Sequence, residues 1–292
     1  MTVDLAAAAD FLASSARVLD RRRFDLLFGG GDAAGVLSAV DGYRNPDGGY
    51  GWGLEPDLRS RTSQPGGALH ALEAFVDVAP ATTHRAVELC DWLATASRPD
   101  GGLPFALPVP DPAASAPFWA GAAPESSLQI TAVVAATAHR VAANDTAVAG
   151  SPWLARATEY CLGAVRDLGP APHAMVLAFA AQLLDAANTP EAAELVEALR
   201  AHVPADGLLH VAGGAEDEFM RPLDFAPFPG GPARALFGDG VVEAALEHLA
   251  AGQQPDGGWA VDFGSFSPAA TLEWRGHRTV QALVLLRANG LL

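Results

Sequence analysis

The chain has 292 residues, half of them hydrophobic and 18% charged, with a formal net charge of −16. Those proportions exclude a disordered chain, and the acidic balance disfavours nucleic acid and anionic membrane surfaces as partners. All 18 basic residues are Arg, which excludes a Lys Schiff base, a phosphate-loop Lys and a Lys nucleophile.

Residues 1–24 read as one amphipathic helix carrying Asp4 and Asp10, with no basic leader of a signal peptide. The apolar stretches downstream are broken by His, Arg, Asp or Gly before they reach the length of a membrane span. Cys90 and Cys161 suit a reduced compartment and a structural role. The expected location is the cytoplasm. Next comes a helical pattern, DAAGVLSAVDGY, that ends in the turn NPDGGY at 45–50. A second, more apolar helix follows, GGALHALEAFVDV. The same order recurs: THRAVELCDWLATA, RPDGGL at 98–103, then SSLQITAVVAATAHRV. SPWLARATEYCLGAV and HAMVLAFAAQLLDAA make a pair without the turn. EAAELVEALRAHV is followed by a weaker copy, PADGLL at 204–209, and GVVEAALEHLAAG by QPDGGW at 254–259 and EWRGHRTVQALVLLRANG.

The four turn aspartates, Asp47, Asp100, Asp206 and Asp256, are spaced by 53, 106 and 50 residues. A unit of that size signals a repeat architecture. Apolar residues recur at helical spacing, and strand-like alternation is scarce. The second helix of each pair is apolar around most of its circumference and so belongs inside. The expected fold is all-α: an α/α toroid of about five to six hairpins in two concentric layers, one domain over 1–292. The repeat at 207–240 is expected to be irregular, because Pro222, Pro227, Pro229 and Pro232 cannot sit in one regular helix.

In AALEHLAAGQQPDGGW, Gln253, Gly257 and Trp259 stand at Gln-x3-Gly-x-Trp spacing. This resembles the QW motif of triterpene cyclases such as squalene–hopene cyclase. The copy at 88–103 keeps Trp92, Leu93 and Gly101 but has Ser97 and Leu103 for Gln and Trp. The chain therefore resembles the terpenoid cyclase and protein prenyltransferase superfamily. The resemblance implies that Gln and Trp are structural, the Gln capping helix ends and the Trp packing on it. It also implies a hydrophobic polyene or prenyl substrate. Class II cyclases of the family protonate that substrate with an Asp-x-Asp-Asp motif running into Thr-Ala. Here SLQITA (127–132) keeps Thr131 and Ala132 but has Ser127, Gln129 and Ile130 in place of the three acids. No Asp-Asp-x-x-Asp motif is present. The family's zinc pair, Asp-x-Cys, has one near match, Glu159-x-Cys161, whose side chains would lie on nearly opposite faces of a helix. No metal site is expected, and no cofactor, except that a diphosphate substrate would bring magnesium.

The candidate acids are Glu55 and Asp57, flanked by Arg59 and Arg61, together with Asp224 and Glu273. Glu55 and Asp57 read either as a solvated loop or as an acid pair tuned by the two arginines at the barrel mouth. Asp224, between Leu223 and Phe225, is the most apolar-embedded acid, and burial would raise its pKa as a general acid needs. A structural pair with Arg221 is the alternative. Glu273, Trp274, Arg275, His277 and Arg278 crowd the first turns of the last inner helix. They read as substrate contacts or as a charge network closing the ring against Asp20 or Arg21–Arg23. Trp52, Trp119, Phe225, Phe228 and Trp274 are candidate cavity walls whose ring faces would stabilise cations, or ordinary core. Glu125 reads as a substrate contact or as helix-dipole charge. His173, and His70 with Glu73, read as ligands or as satisfied core polars.

The reading that joins these observations is an isoprenoid-handling enzyme with a largely apolar central cavity and an atypical acid, Asp224 or the Glu55/Asp57 pair. A non-catalytic toroid holding a lipid or a protein is the alternative. A glycan hydrolase or lyase is permitted by the paired acids but not by the QW resemblance. The expected partner is a hydrophobic small molecule, with contact to a membrane surface left open.

Overall fold

The computed structural model describes residues 3–238 and 240–292. Residues 1, 2 and 239, at the edges of the expected N-terminal helix and inside the irregular repeat, lie outside the described residues. In chain order the helices are α1 (Leu5–Ser15), α2 (Val18–Phe28), α3 (Ala33–Asp41), α4 (Pro65–Asp77), α5 (His84–Ala96), α6 (Pro117–Ala120) and α7 (Leu128–Ala142). They continue as α8 (Thr146–Ala149), α9 (Pro152–Arg166), α10 (Ala174–Ala187), α11 (Pro190–Leu199), α12 (Pro222–Phe225), α13 (Val241–Ala251) and α14 (Pro268–Ala288). Among the described residues one two-stranded antiparallel sheet occurs, β1 (Leu209–His210) with β2 (Phe219–Met220). No described helix is long and apolar enough to cross a membrane.

Local chemistry sets the helix boundaries. Asp4, Asp32, Thr83, Thr189 and Ser267 cap α1, α3, α5, α11 and α14 by accepting backbone N–H bonds. Proline opens α4, α9, α11 and α14, where its missing N–H costs nothing.

In chain order the hairpin pairs are α1/α2, α3/α4, α5/α7, α9/α10, α11/α12 and α13/α14, of which α1/α2, α3/α4, α9/α10 and α13/α14 pack directly on each other. The second member of each pair forms the inner layer: α2 packs on α4, α4 on α7, α7 on α10, and α10 on α12, while α14 closes back onto α2. The molecule is an α/α toroid. Inner helix α7 is buried from Ile130 through Ala138, and its alanines meet those of α10, so the two backbones approach closely.

The repeated turn joins the layers. In each copy the aspartate Oδ1 accepts the N–H two residues ahead, from Gly49, Gly102, Leu208 and Gly258, at 3.0, 3.0, 3.0 and 3.1 Å. The first glycine sits at φ of 91°, 96°, 70° and 92° at Gly48, Gly101, Gly207 and Gly257, a region other residues avoid. The second glycine is a close approach: a Cβ on Gly258 would lie 2.7 Å from the Phe11 ring.

Two expectations need correction. The N-terminal stretch is two helices and not one, because Ala16 and Arg17 are extended (ψ 161° and 155°). That bend places the Arg17 guanidinium on Asp20 and on the Leu54 carbonyl, each at 2.9 Å. The ring interior is also not uniformly apolar, as described next. In the proline-rich segment after Gly207, the β1–β2 hairpin, the single turn α12 and a 3-10 turn at Pro232–Leu236 stand where the other repeats have a long inner helix.

Candidate functional site

The loop 51–64, which follows the first turn, is held down by Leu54 and Leu58, both almost fully buried. It carries Glu55 over the start of α4. One face of α4 presents Gly66, His70, Glu73 and Asp77, at the i, i+4, i+7 and i+11 spacing of a helix face. Glu55 Oε2 lies 2.9 Å from His70 Nε2, and His70 Nδ1 lies 2.9 Å from Glu73 Oε2. Glu73 Oε1 accepts from Gln281 on α14 at 3.1 Å. His277, one turn earlier on α14, places Nδ1 3.7 Å from Glu73 Oε2 and 3.3 Å from Arg23 Nη1 on α2. Arg23 Nε in turn pairs with Asp77 at 2.5 Å. Three inner helices thus share one buried polar network.

Electrostatics in the network are strongly coupled. Burial would lower the His70 pKa, but Glu73 and Glu55 outweigh it and push it up to about 9. Burial pulls His277 down to about 3, so this imidazole is neutral. Burial opposes ionisation of Glu73, but His277, His70 and Arg23 hold its carboxyl well below the usual range. The donor atoms of His70, Glu73 and His277 all lie within 4.8 Å of one another.

Asp57, two residues from Glu55, has a different task. Its carboxylate accepts from Phe266 N–H at 2.8 Å, Trp274 Nε1 at 2.8 Å and Ser265 Oγ at 3.1 Å. With three donors on it, Asp57 clamps loop 260–267 and the start of α14 to loop 51–64. Arg59 reinforces the clamp through Glu273 at 2.6 Å. The expected tuning of Glu55 and Asp57 by Arg59 and Arg61 is therefore not what forms. Arg59 is taken by Glu273, and Arg61 lies over the exposed Trp52 ring at 5.8 Å.

Around the ring the lining changes character. Trp119 is buried at the mouth, stacked on Phe105 at 4.5 Å and touching the space that a side chain on Gly66 would fill. Trp274 stands edge-on to His70 and His277 at 5.6 Å. Next to α4, Arg140 of α7 bonds Gln182 of α10 at 3.2 Å and covers the Phe228 ring at 5.0 Å. Burial lowers its pKa to about 10. Gln182 also donates to the Asp224 carbonyl at 2.8 Å.

Asp224 is the third residue of α12, which lies opposite α4 in the ring order. Its Oδ2 accepts from the backbone N–H of Arg221 at 2.7 Å, so the pair is a helix cap and not an ion pair. The Arg221 side chain turns to Asp262 instead. Burial raises the Asp224 pKa, offset in part by Arg278 and by that backbone bond. Asp224 lines a cavity of about 20 Å³ with Leu223, Leu249, His248 and Arg278. Another cavity, beside Phe75, has about 10 Å³.

Of the residues singled out from sequence, Glu55, Asp57, Glu273, Trp274, His277 and Trp119 converge on the mouth and axis, and Asp224 and Phe228 lie on the opposite wall. Others do not join them. Arg275 points outward, bonded to Asp256 at 2.8 Å and stacked over Phe11. Trp52 is 51% exposed, its indole bonded to Asn45. Glu125 is exposed. Phe225 is fully buried against Phe237, in the core beneath α10. His173 caps α10 and reaches the Ala212 carbonyl on the hairpin side. Sequence reasoning missed Asp77 and Gln281 as members of the axial network, while Arg23 meets His277 within the expected network between the last inner helix and Arg21–Arg23. The available signal was two acids and a histidine spaced along one face of an otherwise apolar inner helix.

No protein-family model matches the chain, and no curated protein matches it. Among solved structures, a protein from Actinoplanes is similar at a TM-score of 0.55 and 17% identity, over 98% of this chain and 99% of that one. The type II terpene cyclase MstE from Scytonema, a variant in complex with its product merosterolic acid A, is similar at a TM-score of 0.55 and 14% identity, over 99% of this chain and 96% of that one. At these identities the likeness shows the fold alone, an α/α toroid like that of the cyclase.

Proposed function

We propose that this chain is an isoprenoid-handling enzyme that takes a hydrophobic polyene or prenyl substrate into the ring and performs acid–base chemistry on it. The observation that carries this reading is Asp224: a half-buried carboxyl on α12, beside α13 and α14, whose pKa burial raises against the opposing charges of Arg278 and Arg221. A neutral carboxylic acid in an apolar setting is the group that gives a proton to a carbon–carbon double bond. His70 is less suited to that step, because its flanking carboxylates hold its proton tightly. The roles then divide across the ring. Asp224 gives its proton to the alkene, leaving a carbocation. The ring faces of Trp274, Trp119 and Phe228 stabilise the positive charge. A carboxylate of the Glu55–His70–Glu73 wall removes a proton from the cationic product. Ser127, Gln129 and Ile130, in place of the family's acids, are consistent with the donor having moved to α12. A diphosphate substrate would arrive with magnesium.

A second reading, a toroid that binds such a molecule without turning it over, is favoured by the two cavities of about 20 and 10 Å³. Each holds about one water, whereas small-molecule pockets run to hundreds of Å³. Under either reading the interior opens to admit a ligand. The test is incubation with farnesyl diphosphate, geranylgeranyl diphosphate and squalene, in the presence of magnesium, followed by mass spectrometry of the extract. The expected result is a cyclised or rearranged product from one of them, lost in Asp224→Asn. Product formation unchanged in Asp224→Asn removes Asp224 as the donor. Binding of all three without product sustains the non-catalytic reading instead.

A further inference from the structure

We infer that His70, Glu73 and His277 form a binding site for one divalent metal ion of the zinc type, with Glu55 orienting His70 from behind. This rests on the axial network and not on Asp224, although it takes Glu55 and Glu73, which the isoprenoid reading uses as proton acceptors.

Geometry is the first support. His70 Nδ1 and Glu73 Oε2 are 2.9 Å apart, Glu73 Oε2 and His277 Nδ1 are 3.7 Å apart, and all the donor atoms fall within 4.8 Å. Ligands about 2.0–2.2 Å from a tetrahedral zinc stand roughly 3.3–3.6 Å from one another. Small side-chain adjustments therefore bring the three donors onto one ion. His70 and Glu73 are one helical turn apart on α4, and His277 comes from α14, so the backbone already fixes the site.

The second support is the hydrogen bond behind His70. Its Nε2 faces Glu55 Oε2 at 2.9 Å. With Nε2–H donating to that carboxylate, the Nδ1 lone pair is free for a cation. This is the carboxylate–histidine–metal arrangement that fixes the tautomer and raises ligand basicity. The ion would replace the proton now shared between Nδ1 and Glu73.

The neighbouring cations already have partners: Arg17 is matched by Asp20 and Arg23 by Asp77. Arg23 Nη1, now 3.3 Å from His277 Nδ1, would give up that contact and keep Asp77. Two imidazoles and one carboxylate leave one coordination position open, the pattern of a catalytic rather than a structural zinc. They favour zinc, iron or manganese over calcium or magnesium.

The test uses the full chain, stripped with a chelator and titrated by calorimetry with zinc and with cobalt as a spectroscopic stand-in. The expected result is one ion per chain and visible absorption from the cobalt form. Glu73→Gln and His277→Asn should abolish the stoichiometric site, and Glu55→Gln should weaken it about 10–100-fold, as loss of an outer carboxylate does. Failure of the native chain to bind either ion overturns the inference. So does binding that survives both ligand variants. Should a variant fail to fold by circular dichroism, X-ray absorption on the zinc-loaded native chain decides: two imidazole nitrogens support the site, and fewer overturn it.

Discussion

Asp224 is one residue with two demands on it. Its Oδ2 caps a single-turn helix, and its carboxyl sits among Arg278, Arg221 and Asp262 while burial raises its pKa. The raised pKa has a consequence for stability. A carboxyl whose folded-state pKa lies above its unfolded value binds its proton more tightly in the native state. It stabilises the fold below the unfolded pKa, and that contribution is lost as the pH rises through the folded pKa. Asp224→Asn keeps an oxygen for the Arg221 N–H but cannot ionise. Its melting temperature, relative to the native chain, should therefore rise between about pH 4, near the unfolded carboxyl pKa, and neutrality. Parallel melting curves for the two proteins across that range would mean that burial does not govern Asp224. The groups around it that also titrate or carry charge, Arg278, Arg221, Asp262 and His248, are common to both proteins.

At the scale of elements, the loops between the repeated turns and the inner helices carry most of the variation. Loop 51–64 is latched to α14 through Asp57–Trp274 and Arg59–Glu273, and to the loop before α7 through the Gln64 amide and the Leu107 backbone at 2.9 and 3.3 Å. Trp274→Phe keeps an aromatic ring but removes the N–H to Asp57 together with part of the indole. Leaving a buried carboxylate oxygen without its donor costs roughly 1–3 kcal/mol. Hydrogen exchange should accelerate in 51–64 and 260–267 while α7 and α10 stay protected. Unchanged exchange in both loops would show that the latch is held elsewhere. The elements themselves were legible from sequence because their signals are local: the Pro-Asp-Gly-Gly turn needs a side-chain acceptor and a positive φ within four residues, and inner helices need apolar periodicity. The latch was not legible. Asp57 and Trp274 are 217 residues apart, and Arg59 and Glu273 are 214 apart. Adjacency suggested that Arg59 and Arg61 would serve the neighbouring acids, but loop side chains take partners by direction, not by sequence distance. The polar face of α4 was visible as His70 and Glu73, and a network of His277 with Arg21–Arg23 was expected, yet nothing local said that the two would meet at Glu73 and Asp77.

At the scale of the whole molecule the first and last hairpins are stitched together. Gln253 bonds the backbone N–H and carbonyl of Asp4 at 2.8 Å each, spanning the joint between α13 and α14 and the start of α1. Arg23 meets His277 inside the ring. Closure of this kind removes the free ends that an open helical array would leave exposed. It also defines an interior, and the central claim is that a hydrophobic chain seats there, between the charged α2–α4–α14 wall and the wall bearing Asp224 and Phe228. The direct measurement is photo-labelling of the full chain with a diazirine-bearing farnesyl diphosphate, with adducts mapped by tandem mass spectrometry. The expected adducts fall on the inner-helix peptides, α4, α7, α10, α12 and α14, and are competed away by unlabelled farnesyl diphosphate. Adducts confined to the outer helices α3, α5 and α9, or untouched by the competitor, would contradict it.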